Sequence, residues 1–163
     1  MIAYIENRKI DIEKYDKCIA TSLNTRIYAF SWYLNCVTDN WSVLVLNDYE
    51  AVMPLPVRKK YGLNYIYQTP WIQQLGVFSK NNIDEDLILN FIGSIPKKFV
   101  LVDYFLNSEN QFQNKNVESR TNYILDLNKS FNEISKGFND NRKRLSKKTS
   151  GNIVLKKNAG VGE

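Results

Sequence analysis

Apolar and polar positions alternate along this chain in two rhythms. Residues 2–6 (IAYIE) read as a first strand, after which Ile12, Tyr15, Ile19 and Leu23 recur at helical spacing, and Ile27, Phe30, Leu34 and Val37 do so again. These spacings predict two consecutive helices, broken near Asn24-Thr25. Residues 41–47 (WSVLVLN) are rich in β-formers, Asp48-Tyr49-Glu50 turns the chain, and residues 51–57 (AVMPLPV) return as a partner strand. Pro54 and Pro56 cannot donate to a ladder, so their N–H-deficient side is expected at an edge, a bulge or solvent. A charged turn over Arg58-Lys59-Lys60-Tyr61-Gly62 leads into expected strands at 64–68 and 72–78.

Asn82 or Asp84 caps a predicted helix carrying Leu87, Ile88, Phe91, Ile92 and Ile95, with Asp84, Glu85 and Asp86 in its first turn and Pro96 as its stop. Residues 99–106 (FVLVDYFL) are almost continuously apolar, as for a central strand covered on both faces. A polar loop and a strand at 121–127 follow. Ser130-Phe131-Asn132-Glu133 matches a capping box and opens one long helix, with Phe131, Ile134, Phe138 and Leu145 as its buried stripe. Gly151 is its expected stop, and residues 152–157 (NIVLKK) form a last strand without a partner after it, as if a further domain begins there. The order is that of an α+β fold, a three-layer α/β/α sandwich around a mixed, mainly antiparallel sheet.

Composition narrows the chemistry. The chain of 163 residues contains no histidine, which excludes Ser-His-Asp and Cys-His catalysis and His-containing metal sites within it. Cys18 and Cys36 sit inside amphipathic helical patterns and read as small buried hydrophobes. No stretch approaches the ~18 consecutive apolar residues of a membrane span, and the charged N-terminus is not a signal peptide. A cytoplasmic location is the expectation. The net charge of +5 is local: residues 1–140 hold 15 basic and 16 acidic residues, whereas residues 141–163 hold seven basic residues and one acid.

The element order resembles the acetyltransferase fold of the GNAT superfamily. The wording is similar to its Fem-like (FemAB-type) branch in Ser31-Trp32-Tyr33-Leu34, in Ala51-Val52-Met53-Pro54-Leu55-Pro56, in Gln73-Gln74-Leu75-Gly76-Val77-Phe78, and in the basic helix from Asn141 to Lys148. Fem-like proteins join two GNAT-like halves through a helix and move an acyl or aminoacyl group onto an amine. The resemblance therefore implies a GNAT-like N-terminal domain over residues 1–128, with a connecting basic helix and the first strand of a truncated second domain over 129–163. It implies a small-molecule or peptide amine as substrate, and either the missing second domain or self-association as partner. GNAT enzymes hold the coenzyme A pyrophosphate at a Gly-rich helix start. The matching stretch from Gln73 to Asn82 has one glycine and leads into three acids that repel phosphate. No cofactor is assigned to this half, and the resemblance implies acetyl-coenzyme A or another acyl donor for a full-length protein.

Several side chains qualify as sites, each beside a plainer role. Arg58, with Lys59 and Lys60, suits a substrate phosphate or carboxylate, or is a solvated turn. Tyr65, Tyr67, Trp71, Gln73 and Gln74 combine aromatic faces with carboxamides, as a sugar or peptide cleft does, or form a half-buried sheet face. Trp32 and Tyr28 are expected in the core. Asp103, inside the apolar run, reads as a buried base or as an acceptor for a loop. Arg142, Lys143, Arg144, Lys147 and Lys148 invite an anionic substrate. Nucleic acid is the less favoured ligand, because no aromatic interleaves the cluster.

Overall fold

The computed structural model describes residues 1–114, 117–126 and 128–150. The chain divides into two compact units, Met1–Val117 and Glu118–Glu163. In the first, strands β1 (Ile2–Glu6), β2 (Trp41–Leu46), β3 (Ala51–Lys60), β4 (Leu63–Ile66), β5 (Phe78–Ser79) and β6 (Phe99–Val102) form one sheet. Their order is β1-β2-β3-β4-β6, with β5 beside β3, and every pairing is antiparallel except β4 with β6. The mixed α/β class and the mainly antiparallel sheet are as the sequence predicts.

Strand periodicity assigns each face to its helices. Val43, Val45 and Val52 pack with Tyr15, Cys18 and Ile19 of α1 (Ile12–Thr21) and with Leu34 of α2 (Ser31–Val37). Leu44, Met53, Leu55 and Val57 point the other way, against Phe91 of α3 (Glu85–Gly93). The helices start where side chains satisfy free amides. Asp11 accepts from the Lys14 amide, and Asp84 accepts from that of Leu87 at 2.8 Å. At α2 the cap comes from another helix: the Asp16 carboxylate of α1 accepts from the Ser31 amide at 2.9 Å and from the Ser31 hydroxyl at 2.6 Å. The second predicted helix is thereby shortened, because residues Ile27–Ala29 form only a 3₁₀ turn and Ile27 is exposed. Leu23 also lies outside α1 and is exposed, since Ser22 closes that helix by donating from its hydroxyl to the Cys18 carbonyl.

β3 holds the sheet together and also splits it. It pairs with β2 along residues 51–56, but on its other side β5 meets only Ala51 and Val52, and β4 only Val57 to Lys60. Pro54 and Pro56 fall in the interval. The Pro54 carbonyl accepts from the Tyr104 hydroxyl at 2.5 Å and the Pro56 carbonyl from the Tyr67 amide at 3.4 Å, so both carbonyls face the gap. In an antiparallel ladder a residue's N and O point to one side, and the missing N–H groups therefore face the gap, as expected.

The segment predicted as a strand at 72–78 runs past this gap with only a single bridge, Leu75 to Leu106, before β5. Side chains replace its ladder. The Gly76 amide donates to the Tyr104 hydroxyl at 3.1 Å, the Val77 amide to Asn110 Oδ1 at 2.6 Å, and the Val77 carbonyl accepts from Asn24 and Asn110. The Leu75 carbonyl accepts from the Asn107 carboxamide at 2.7 Å. Gly76 has φ +122°, and a Cβ there would stand 2.0 Å from Asn110 Oδ1, so no other residue fits.

Residues 99–106 are not a buried central strand. β6 spans only Phe99–Val102 and ends the sheet, because the chain after it turns away to supply Tyr104, Asn107 and Asn110 to this clasp. Arg58-Lys59-Lys60 likewise belong to β3, and the turn is Tyr61-Gly62 alone, both with positive φ (51° and 81°) as a two-residue hairpin loop requires. Cys18 is buried, which raises its thiol pKa, whereas Cys36 is exposed.

In the second unit the expected long helix is two: α4 (Phe131–Lys136), opened by the predicted Ser130–Glu133 capping box, and α5 (Asp140–Ser150). Gly137 ends the first, and the Asn139 side chain accepts from the Arg142 amide at 2.9 Å to start the second. Phe131 and Leu145 are exposed rather than part of a buried stripe. Residues 121–126 are not a strand, and Leu127, the Gly151 stop and the strand at 152–157 lie outside the described residues.

Burial holds the Tyr104 and Tyr15 hydroxyls well above the usual phenol pKa, and Tyr15 donates to the Ala29 carbonyl at 2.5 Å. The unfolded chain releases these protons near pH ~10 while the folded one retains them, so stability falls as pH rises above that value. Tyr104→Phe is expected to lower unfolding free energy by about 1–3 kcal/mol, since it leaves a buried carbonyl and an amide unpaired. It should also make the alkaline fall shallower. Urea denaturation of both proteins between neutral pH and pH ~11 checks both statements.

Candidate functional site

Between β4 and β5 the chain makes a tight turn at Thr69-Pro70-Trp71-Ile72, closed by the Ile72 amide donating to the Thr69 carbonyl at 3.2 Å. With proline second and a positive φ third, this is the type II arrangement, whose third position favours glycine. Trp71 occupies it, at φ +71° and 82% exposed. A left-handed conformation costs a non-glycine residue about 1–2 kcal/mol, so the surroundings must hold it. The Tyr33 hydroxyl of α2 donates to the Trp71 carbonyl at 2.6 Å, and the Gln68 carboxamide donates to the Ile72 carbonyl while accepting from the Phe105 amide.

An aromatic surface is built around that turn. Tyr33 stands edge-on to Trp32 (ring centroids 5.5 Å apart) and to Tyr28 (5.6 Å), and the Tyr28 hydroxyl donates to Gln73 Oε1 at 3.2 Å. Trp32 is 54% exposed, so it is a surface aromatic and not the core residue expected; α2 is too short to bury a second stripe. The structure thus brings Trp71 and Gln73 together with Tyr28, Trp32 and Tyr33. The last of these had no signal in the sequence beyond its place between Trp32 and Leu34.

The remaining candidates group differently. Tyr67 stands edge-on to Tyr65, and the Arg58 guanidinium lies 5.6 Å from the Tyr67 ring centre while pairing with Asp39 at 3.2 Å. Arg58 is therefore a partnered cation on a strand, not a free charge on a turn. Gln74 is half-buried. Asp103 is exposed beyond the end of β6, so it is not the enclosed carboxylate of a buried strand. Arg142 and Arg144 are exposed on α5 in the second unit, with Arg144 donating to Asn141 at 3.2 Å.

A concavity of about 360 Å³ lies on the α3 face of the sheet and was not foreseen. Its floor is Tyr4, Ser42 and Phe99, with the Tyr4 hydroxyl donating to Ser42 Oγ at 2.9 Å. Lys98 overhangs it, 4.4 Å from the Tyr4 ring centre and paired with Glu6 at 3.2 Å. Among the described residues no group of three or more Cys, Asp or Glu is placed to hold a metal ion, and no helix is long and apolar enough to cross a membrane. Comparison with protein-family models, with curated proteins and with solved structures returned no match to this chain.

Chemically, the Trp71 surface offers two exposed indoles, phenol hydroxyls and a carboxamide. Such groups stack on and hydrogen-bond to a planar or ring-shaped polar ligand. Its polar groups are phenol hydroxyls and a carboxamide, so it is equipped to bind and orient. Trp71→Asn is expected to raise the unfolding free energy or leave it unchanged, by up to about 1 kcal/mol, because asparagine tolerates the left-handed region and little burial is lost. A drop of more than that in chemical denaturation would mean that the indole is a packing residue.

Proposed function

We propose that this chain is the N-terminal, substrate-binding half of a cytoplasmic Fem-like acyl- or aminoacyl-transferase acting on an amine acceptor, built as a three-layer α/β/α GNAT-like sandwich. The observation that carries the reading is Trp71, a large aromatic held outward in a conformation that favours glycine. Backbone strain kept at an exposed aromatic is characteristic of a ligand-binding position. The placement of α1 and α2 on one sheet face and α3 on the other is consistent with the sandwich. In this reading Trp71, Trp32 and Gln73 take the acceptor, and Tyr28 and Tyr33 fix them.

The acyl donor belongs elsewhere in the full-length protein. At the start of α3, where a GNAT enzyme holds a pyrophosphate, Asp84 already occupies the Leu87 amide, and Glu85 and Asp86 stand in the first turn. Negative charge there opposes a phosphate through both occupancy and repulsion. A second reading, a non-catalytic protein or peptide interaction domain on the same fold, draws support from the exposed apolar side chains of β6.

Titration with a lysine-containing tripeptide, followed by tryptophan fluorescence, tests the site. The transferase reading expects a saturable emission change that Trp71→Asn weakens by about fivefold or more. Acetyl-coenzyme A at millimolar concentration is expected to leave the melting temperature unchanged, whereas a dose-dependent rise would place a working donor site in this half. A saturable response of equal affinity in the Trp71 variant removes this surface from the proposal.

A further inference from the structure

The concavity on the α3 face is walled by both outer strands of the sheet. β1 and β6 stand at opposite ends of the pairing order, yet the sheet curls until they meet: the Tyr4 and Phe99 rings lie edge-on with centroids 6.0 Å apart, and Lys98 reaches Glu6. The 3₁₀ turn Asn7–Lys9, directly after β1, adds Arg8 and Lys9 to the lining, both exposed. The hollow of about 360 Å³ is of a size that takes a small molecule.

Its lining is equipped to donate. Among the described residues it carries three cations, Arg8, Lys9 and Lys98, and one acid, Glu6, a net charge of +2. Glu6 is taken by Lys98, and no described carboxylate pairs with Arg8 or Lys9. At the floor Ser42 is 2% exposed and shares a hydrogen bond with the Tyr4 hydroxyl. Two hydroxyls joined by one bond use one proton, so a second O–H is left to donate. That proton has no acceptor among the described residues, and a ligand oxygen in the hollow supplies one. The carboxamides of Asn7, Asn40 and Asn64 also line the space, again without a hydrogen-bond partner among the described residues.

We propose that this concavity binds a small phosphate monoester with a hydroxyl-bearing remainder, a sugar phosphate in chemical class. A phosphate monoester carries about −1.5 to −2 charge near neutral pH, which balances the lining. Its oxygens accept, and they meet the cations and the floor proton with charge-assisted bonds. The three carboxamides both donate and accept, as the hydroxyls of the remainder require. A nucleobase fits less well, because Lys98 already covers the Tyr4 ring at 4.4 Å and Phe99 is buried, so the floor is not a stacking platform. Acetyl-coenzyme A carries a base and a diphosphate arm beside its phosphate monoester and is too large for this space. The proposal does not rest on the transferase reading, and Trp71→Asn is expected to leave it unaffected.

Isothermal titration calorimetry of the whole chain with ribose 5-phosphate, at low salt in a phosphate-free buffer, tests it. The expected result is saturable binding that is tighter than for inorganic phosphate. Arg8→Gln and Lys9→Gln are each expected to weaken both ligands by about fivefold to tenfold, and Asn64→Ala to weaken the sugar phosphate alone. Arg8 and Lys9 are exposed, and circular dichroism establishes that the variants fold. Binding that is indifferent to Arg8 and Lys9 but lost in Arg142→Gln or Arg144→Gln overturns the proposal, since the anion then sits on α5. So does a chain that binds neither ligand, or one that binds inorganic phosphate equally well. Tighter binding of adenosine monophosphate also overturns it, because the remainder would then be a base.

Discussion

The gap beside β3 is the constraint on which the rest of the first unit depends. Two prolines, two residues apart, remove both donors from one side of the strand that spans the sheet. No neighbour can run a continuous ladder there, so β4 and β5 attach at opposite ends of β3 and part between. The backbone left over must still be satisfied. Tyr104 does this by reaching from the Pro54 carbonyl to the Gly76 amide, and its ring packs against the hydrophobic clusters on both faces of the sheet. Asn107 and Asn110 complete the clasp. The short length of β6 follows, because the residues after Val102 are committed to the clasp and cannot extend the sheet.

The same arrangement frees the turn that displays Trp71. Residues 68–74 bridge from β4 to the clasped segment without ladder partners among the described residues, and their order comes from side chains: Gln68 below and Tyr33 across. A segment held this way can keep an unfavourable torsion that a paired strand would not tolerate. Local stability is exchanged for an outward aromatic, a pattern common where proteins meet ligands.

How much of this was legible in the sequence depends on where backbone groups find partners. The β2–β3 hairpin, the Asp84 cap and the Ser130–Glu133 box are local, and their residues announce them. The two prolines correctly foretold an unpaired side of β3. What the sequence could not convey was that the apolar residues of the 72–77 segment are held by side-chain clamps rather than by strand neighbours. Ile72, Leu75 and Val77 are buried in either arrangement, and periodicity reads burial, not bonding. The same ambiguity made 99–106 look like a central strand: Phe99 and Tyr104 do reach the core, but Val100 to Val102 between them do not. Of the candidate site, the exposed Trp71 and its neighbour Gln73 were named, while Trp32 was assigned to the interior because α2 was expected to begin at Ile27 and begins at Ser31.

The clasp also orders events in time. The β2–β3 and β3–β4 hairpins close over loops of a few residues, so they are complete as soon as the chain through Ile66 is available. Leu75, Gly76 and Val77 are made next, but the groups that bind their amides and carbonyls include Tyr104, Asn107 and Asn110. At about 5–20 residues per second of synthesis, that wait is roughly two to seven seconds. During it a nascent chain carries a half-built sheet whose open flank is apolar and unpaired. Asn110, a single carboxamide lodged where Gly76 has no side chain, marks the moment at which that flank is shut.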